Sequence, residues 1–116
     1  MENTELETSL AHQLVGVVNY VPGSIVIKSI LRKKTGTVKV LSFDTGETLA
    51  AKISPFDNLV QVIDGVAEVI IDEKSTQLEV GQVIIIPAHS TNKMKANERF
   101  KMLSTIIKSG YEDVTL

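Results

Sequence analysis

The stretch "GETLAAKISPFDNLVQVIDG", residues 46–65, runs from one glycine suited to a turn to another. Its second half, "NLVQVID" at 58–64, is rich in β-branched and apolar residues, and "VAEVIID" at 66–72 meets it across Gly65. Runs of this kind on either side of a glycine read as strands meeting at a turn. Between the glycines lie Lys52, Ser54 and Asn58, but no histidine.

The same grammar continues outward. "SIVIKSILR" at 24–32 ends in the turn "KKTG", and "TVKVLSFD" at 37–44 ends in "TGE". Downstream, "STQLEV" leads to Gly81, "QVIIIP" ends at Pro87, and "RFKMLSTIIK" at 99–108 is closed by Ser109-Gly110. Short strands with a turn signal every several residues point to an all-β sandwich or barrel rather than βαβ units. Upstream, Thr4-Glu5-Leu6-Glu7 matches a capping box, and Leu6, Leu10 and Leu14 recur at helical spacing. The expected layout is an N-terminal helix or arm over 1–18, a barrel over 19–108 and a polar tail over 109–116.

Composition narrows the function classes. The chain has 116 residues, enough for one domain with a core, and a net charge of −2. Tryptophan is absent, and Phe43, Phe56, Phe100, Tyr20 and Tyr111 are the whole aromatic set, thin equipment for stacking bases. The densest basic run, Arg32-Lys33-Lys34, reads as a solvated hairpin turn; no nucleic-acid partner is expected. With no cysteine there is no disulfide, thiolate metal site or cysteine nucleophile. The start, "MENTELETSL", is polar and acidic, and no apolar run reaches bilayer length, so the expectation is a cytoplasmic protein without a membrane partner.

The turn residues resemble those of the small single-domain cupins, the RmlC-like jelly rolls or double-stranded β-helices. Gly46 and Gly65 stand at the separation of that family's first motif, G-x5-H-x-H-x3-4-E-x6-G. Gly81 and Pro87 match the start of the second, G-x5-P-x-G-x2-H-x3-N. "GSIVIKSIL", "SPFDNLVQVIDG", "EVIID" and "ERFKML" are also similar to family members. The resemblance implies a jelly-roll barrel and a homodimer. It breaks at the metal-ligand slots, which hold Lys52, Ser54, Asn58 and Asn92, while His89 stands where the family has glycine.

Lysine has donors and no acceptor, and a cation in a ligand slot repels a metal. The expectation is therefore no metal and no cofactor at the usual cupin site. A shifted site using His89 and His12 is a poor alternative. A ligand pocket is expected from Lys52, Ser54, Asn58, Asn92 and His89, with Met94 and Met102 as adaptable walls. Three roles stay open for Lys52: holding an anion, snorkelling into water, or pairing with Glu47 or Asp57. Ser54, Asn58 and Asn92 have a local alternative in backbone-bonding turns. The leading function is a metal-free cupin that binds a small polar or anionic molecule. A dimeric interaction protein is the second, and a metal-independent isomerase or epimerase, needing an acid and base from Lys52, His89 or Tyr20, is the third.

Overall fold

The structure is a computed structural model that describes residues 5–51 and 53–108. These residues form eight strands: β1 (Ile25–Lys33), β2 (Gly36–Phe43), β3 (Thr48–Ala51), β4 (Asn58–Ile71), β5 (Lys74–Glu79), β6 (Val83–Ile86), β7 (Asn92–Lys95) and β8 (Phe100–Ile107). Every pairing is antiparallel. One layer runs β1-β2-β8-β4-β6 and the other β3-β7-β4-β5, so β4 belongs to both. This curled all-β sheet is the jelly roll expected from the turn spacing.

Alternation sets the core. In β2, Leu41 and Phe43 face the space between the layers, while Val38 and Val40 face outward. Phe43 lies opposite Phe100 of β8, and the rings stack at 4.3 Å between centroids, tilted by 13°. Val60, Val62, Ala67 and Val69 of β4 complete the centre of this core.

The sequence reading and the structure differ at three places, the second of which resolves the helix-or-arm alternative as an arm. First, "NLVQVID" and "VAEVIID" do not turn back on each other at Gly65: they are one 14-residue strand. The register shifts between Val62 and Asp64, and Gly65 follows with φ +73°. A bulge with a left-handed glycine bends the strand, so its first half pairs with β8 and β6 and its second with β5 and β7. Glycine is required here because a Cβ would strike the Arg99 carbonyl and the Phe100 backbone. The hairpin lies further on, at Asp72 and Glu73, with φ of 47° and 72° as a type I′ turn demands.

Second, the described part of the capping-box segment forms no α-helix; Thr4 lies outside the described residues. The one helical element among them is a 3-10 turn, Leu14–Gly16. A helix this short is marginal in water, and packing on the sheet wins. Leu6, Leu14 and Val17 instead pack on the outer face of the first layer beside Val18, Ile30 and Val40. The sheet also meets the arm's carbonyls. Lys28 Nζ donates to Val17 O at 2.9 Å, Lys101 Nζ to Val15 O at 2.7 Å, and Ser42 Oγ to Asn19 O at 2.8 Å. Third, the short strands β3 and β7 were not visible as separate runs; each has only four residues and finds its partner through long-range pairing.

Candidate ligand site at the barrel mouth

The Asn58 end of β4 is polar. Asn58 begins β4 between Ile106 of β8 and Ile86 of β6. Its Oδ1 accepts a hydrogen bond from Ser104 Oγ at 2.8 Å, and Ser104 is only 4% exposed. Ser104 shares the inner face of β8 with Met102 and Phe100, so a hydroxyl–amide pair caps the apolar core. Lys39 lies directly across from Ser104 and is half-buried, on the inner face that also carries Leu41.

Two loops close this end. The one before β4 contains Ser54, whose Oγ accepts the Phe56 N–H at 3.1 Å. The one after β6 contains His89, whose N–H donates to Ser54 O at 2.7 Å. Asp57 Oδ1 accepts the Ala88 N–H at 2.8 Å, a second tie between the loops. His89 sits at φ +67°, the conformation that explains why glycine suits its slot. Its side chain is exposed.

Asn92 opens β7 on the face that carries Met94 into the core. Its Oδ1 is buried and has no hydrogen-bond partner among the described residues. Buried acceptors are nearly always paired, and an unmade bond costs about 1–3 kcal/mol. A five-residue loop, 87–91, links Asn92 to the end of β6, so it lies at the same end of the barrel as Asn58.

The structure thus brings Asn58, Asn92, Ser54 and the His89 backbone to one end. Ser54 is engaged in a local turn, as its alternative reading allowed. Met94 and Met102 are 2% and 1% exposed and lie in the main core. Lys52 lies outside the described residues. Sequence reasoning missed Lys39 and Ser104; counting back by twos from Phe43, and forward from Phe100, puts both on the inner face.

Tyr20 is elsewhere. Its hydroxyl donates to Asp64 Oδ2 at 2.6 Å, and Arg99 and Lys101 lie over its ring at 4.5 and 4.8 Å. Burial, and then the Asp64 bond, push the phenol well above its ordinary value of 10.0. Asp64 is six residues along β4 from Asn58, roughly 20 Å at the rise of a strand. Tyr20 and His89 therefore do not form an acid–base pair. His12 sits on the arm, its Nε2 against Glu7 O at 3.0 Å.

Solved structures match this architecture. A conserved protein of unknown function from Streptococcus pyogenes aligns with a TM-score of 0.84 and 26% identity, over 90% of this chain and 91% of that one. A cupin-superfamily protein from Desulfitobacterium hafniense aligns at 0.83 and 20%, over 92% and 98%. The chain carries the cupin fold. A cupin 2 conserved barrel domain protein from Leptotrichia buccalis aligns with this cupin at 0.78 and 34%, over 81% of this chain and 46% of that longer one. No protein-family model and no curated protein matches the sequence. No helix among the described residues is long and apolar enough to cross a membrane.

The cupin motifs are degenerate, and their donor set does not fit a transition metal. Such an ion wants imidazole and carboxylate donors. The described slots offer a hydroxyl and two amides, and Ser54 Oγ and Asn58 Oδ1 already accept protein hydrogen bonds. Among the described residues no three His, Cys, Asp or Glu side chains converge.

Proposed function

We propose that this cupin is a cytoplasmic, metal-independent binding protein that takes a small polar or anionic molecule at the Asn58 end of its barrel. The barrel, 19–108, is the binding unit and 1–18 its covering arm. The observation that carries this reading is the buried, unpartnered Oδ1 of Asn92 at the end where Asn58 and Ser104 pair. A ligand N–H or O–H would satisfy that acceptor. Lys39, and Lys52 of the motif, would favour a negative charge on the same ligand.

The test is a melting-temperature screen against small carboxylates, phosphates, sugars and divalent metals. A ligand at about a hundred times its Kd adds roughly 2.7 kcal/mol, a clear shift. The expected result is a shift with a polar or anionic compound that disappears in Asn92→Leu. A shift produced by metals instead, or one that survives Asn92→Leu unchanged, overturns the reading.

A second reading, a homodimer acting through its outer surface, is favoured by one observation. Leu59 and Ile85 are register partners on the outer face of the first layer, 39% and 59% exposed, with Val83 alongside at 53%. A second copy covering this apolar strip predicts a dimer in analytical ultracentrifugation that Ile85→Glu converts to monomer. A wild-type monomer at high concentration rejects it.

A further inference from the structure

A groove of about 900 Å³ lies along the open edge of β1, beside the β1–β2 hairpin. It is lined by Lys28, Arg32, Lys33, Lys34, Lys39 and Lys108, and no lining residue is acidic. Half of the chain's 12 lysines and arginines therefore gather at one place on a protein whose net charge is −2. Sequence showed only the three consecutive cations and read them as a solvated turn. The fold adds three more from separate positions.

The backbone holds these charges in place. Lys39 is paired in register with Ser29, and Arg32 with Thr37. Arg32 Nη2 donates to Ser29 Oγ at 3.3 Å. The Lys108 N–H donates to Thr35 O at 2.7 Å, which ties the end of β8 to the hairpin tip. Like charges lining one groove repel, and bringing a compact polyanion among them reduces that repulsion.

We infer that this groove binds an organic polyphosphate, the charge class of a nucleoside di- or triphosphate. Lys28 Nζ is turned to Val17 O and Arg32 has partners of its own, but Lys33, Lys34, Lys39 and Lys108 remain as an excess of positive charge that one negative charge would not balance, so the class is a polyanion. The volume falls in the range of small-molecule sites, and the exposed Ile27 gives the organic portion an apolar contact. A guanidinium fork with several ammonium groups is the donor set that phosphates prefer. An added β-strand is a worse fit, because the bulge between Ser29 and Leu31 breaks the ladder spacing along this edge. Nucleic acid is also a worse fit, since no aromatic side chain lines the groove for stacking. Lys39 borders the Asn58–Ser104 pair as well, so the groove adjoins the mouth; its other five cations and the hairpin belong to the groove alone, and the inference does not depend on the function proposed for Asn92.

The experiment is an NMR titration of the full chain with a nucleoside triphosphate, the matching monophosphate, inorganic pyrophosphate and a short single-stranded oligonucleotide. Amide shifts are expected at Ser29, Lys33, Lys34 and Thr37 with the triphosphate, and binding at least tenfold weaker with the monophosphate. Lys33→Glu/Lys34→Glu, on the exposed hairpin, should weaken triphosphate binding at least tenfold with an unchanged spectrum elsewhere. Lys108→Gln, after β8 and outside the hairpin, should weaken it as well. Pyrophosphate binding as tightly as the triphosphate would keep the phosphate site and remove the organic portion from the inference. Absence of shifts at millimolar triphosphate overturns it. So does binding unaffected by the double variant, or binding of the oligonucleotide alone. Asn92→Leu should leave all these shifts in place, which separates a failure here from a failure at the mouth.

Discussion

At the Gly65 bend in the middle of β4 the core is apolar: Phe43 and Phe100 stack there, and a bulge with one left-handed glycine turns the strand from one layer into the other. At the Asn58 end, Ser104 and Asn58 pair over the core and the Asn92 acceptor has no partner among the described residues. Both regions belong to the same cupin motif frame. Its glycines at 46, 65 and 81 sit at positive φ, backbone geometry that other residues cannot adopt cheaply. Its slots at Ser54, Asn58 and Asn92 hold other residue types than the motif, which strand and turn geometry accept. The contrast separates architecture from chemistry inside one strand.

The contrast breaks most sharply at Gly65. Gly65→Ala combines a positive φ with a collision against the Arg99 carbonyl, and should cost about 3 kcal/mol or more. Urea denaturation measures it, and an unchanged midpoint would mean that the corner does not need glycine. Tyr20→Phe comes next. It leaves the buried side of Asp64 without its donor, worth about 1.5–3 kcal/mol for a hydrogen bond to a charged group. The pH dependence has a definite sign. Above about pH 10 the unfolded chain ionises Tyr20 while the folded chain, its phenol raised, keeps the proton. Stability should therefore be intact below that pH and fall as pH rises beyond it, and Tyr20→Phe should flatten the fall. A slope at high pH that is the same in both proteins would remove Tyr20 as its source.

At the polar end the expected effects are smaller and of opposite sign. Asn92→Leu removes an unpaired buried acceptor and should raise the stability of the ligand-free protein by up to about 1 kcal/mol. A loss of several kcal/mol would place Asn92 in the structural framework instead. His89→Gly relieves a left-handed backbone and should add about 1 kcal/mol, with Glu73→Gly in the type I′ turn adding less. Thermal unfolding of the two variants sharpens the comparison. If neither gains, the left-handed positions are held without strain.

Much of this was legible along the chain because it is written in short-range terms. Gly46, Gly65, Gly81 and Pro87 punctuate the strands at fixed separations, and the alternation through "TVKVLSFD" separates Leu41 and Phe43 from Val38 and Val40. The replaced slots at Ser54, Asn58 and Asn92 were visible for the same reason. The leucines at helical spacing misled, because Leu6 and Leu14 serve as pegs on a sheet whose apolar outer face outcompetes an isolated helix. Gly65 was taken for a turn because a left-handed glycine signals a bend without saying whether the strand reverses or continues.

Local pattern therefore decided the strand class, the turn glycines and the loss of metal-binding side chains, since each depends on residue type and on spacing over a few residues. Tertiary structure decided that β4 is one strand serving two layers and that the arm clothes the first layer. It also decided that Lys39, Lys108 and Arg32 converge at one edge. Those outcomes depend on which distant strand supplies each hydrogen bond, and pairing across tens of residues leaves no periodic mark in the chain.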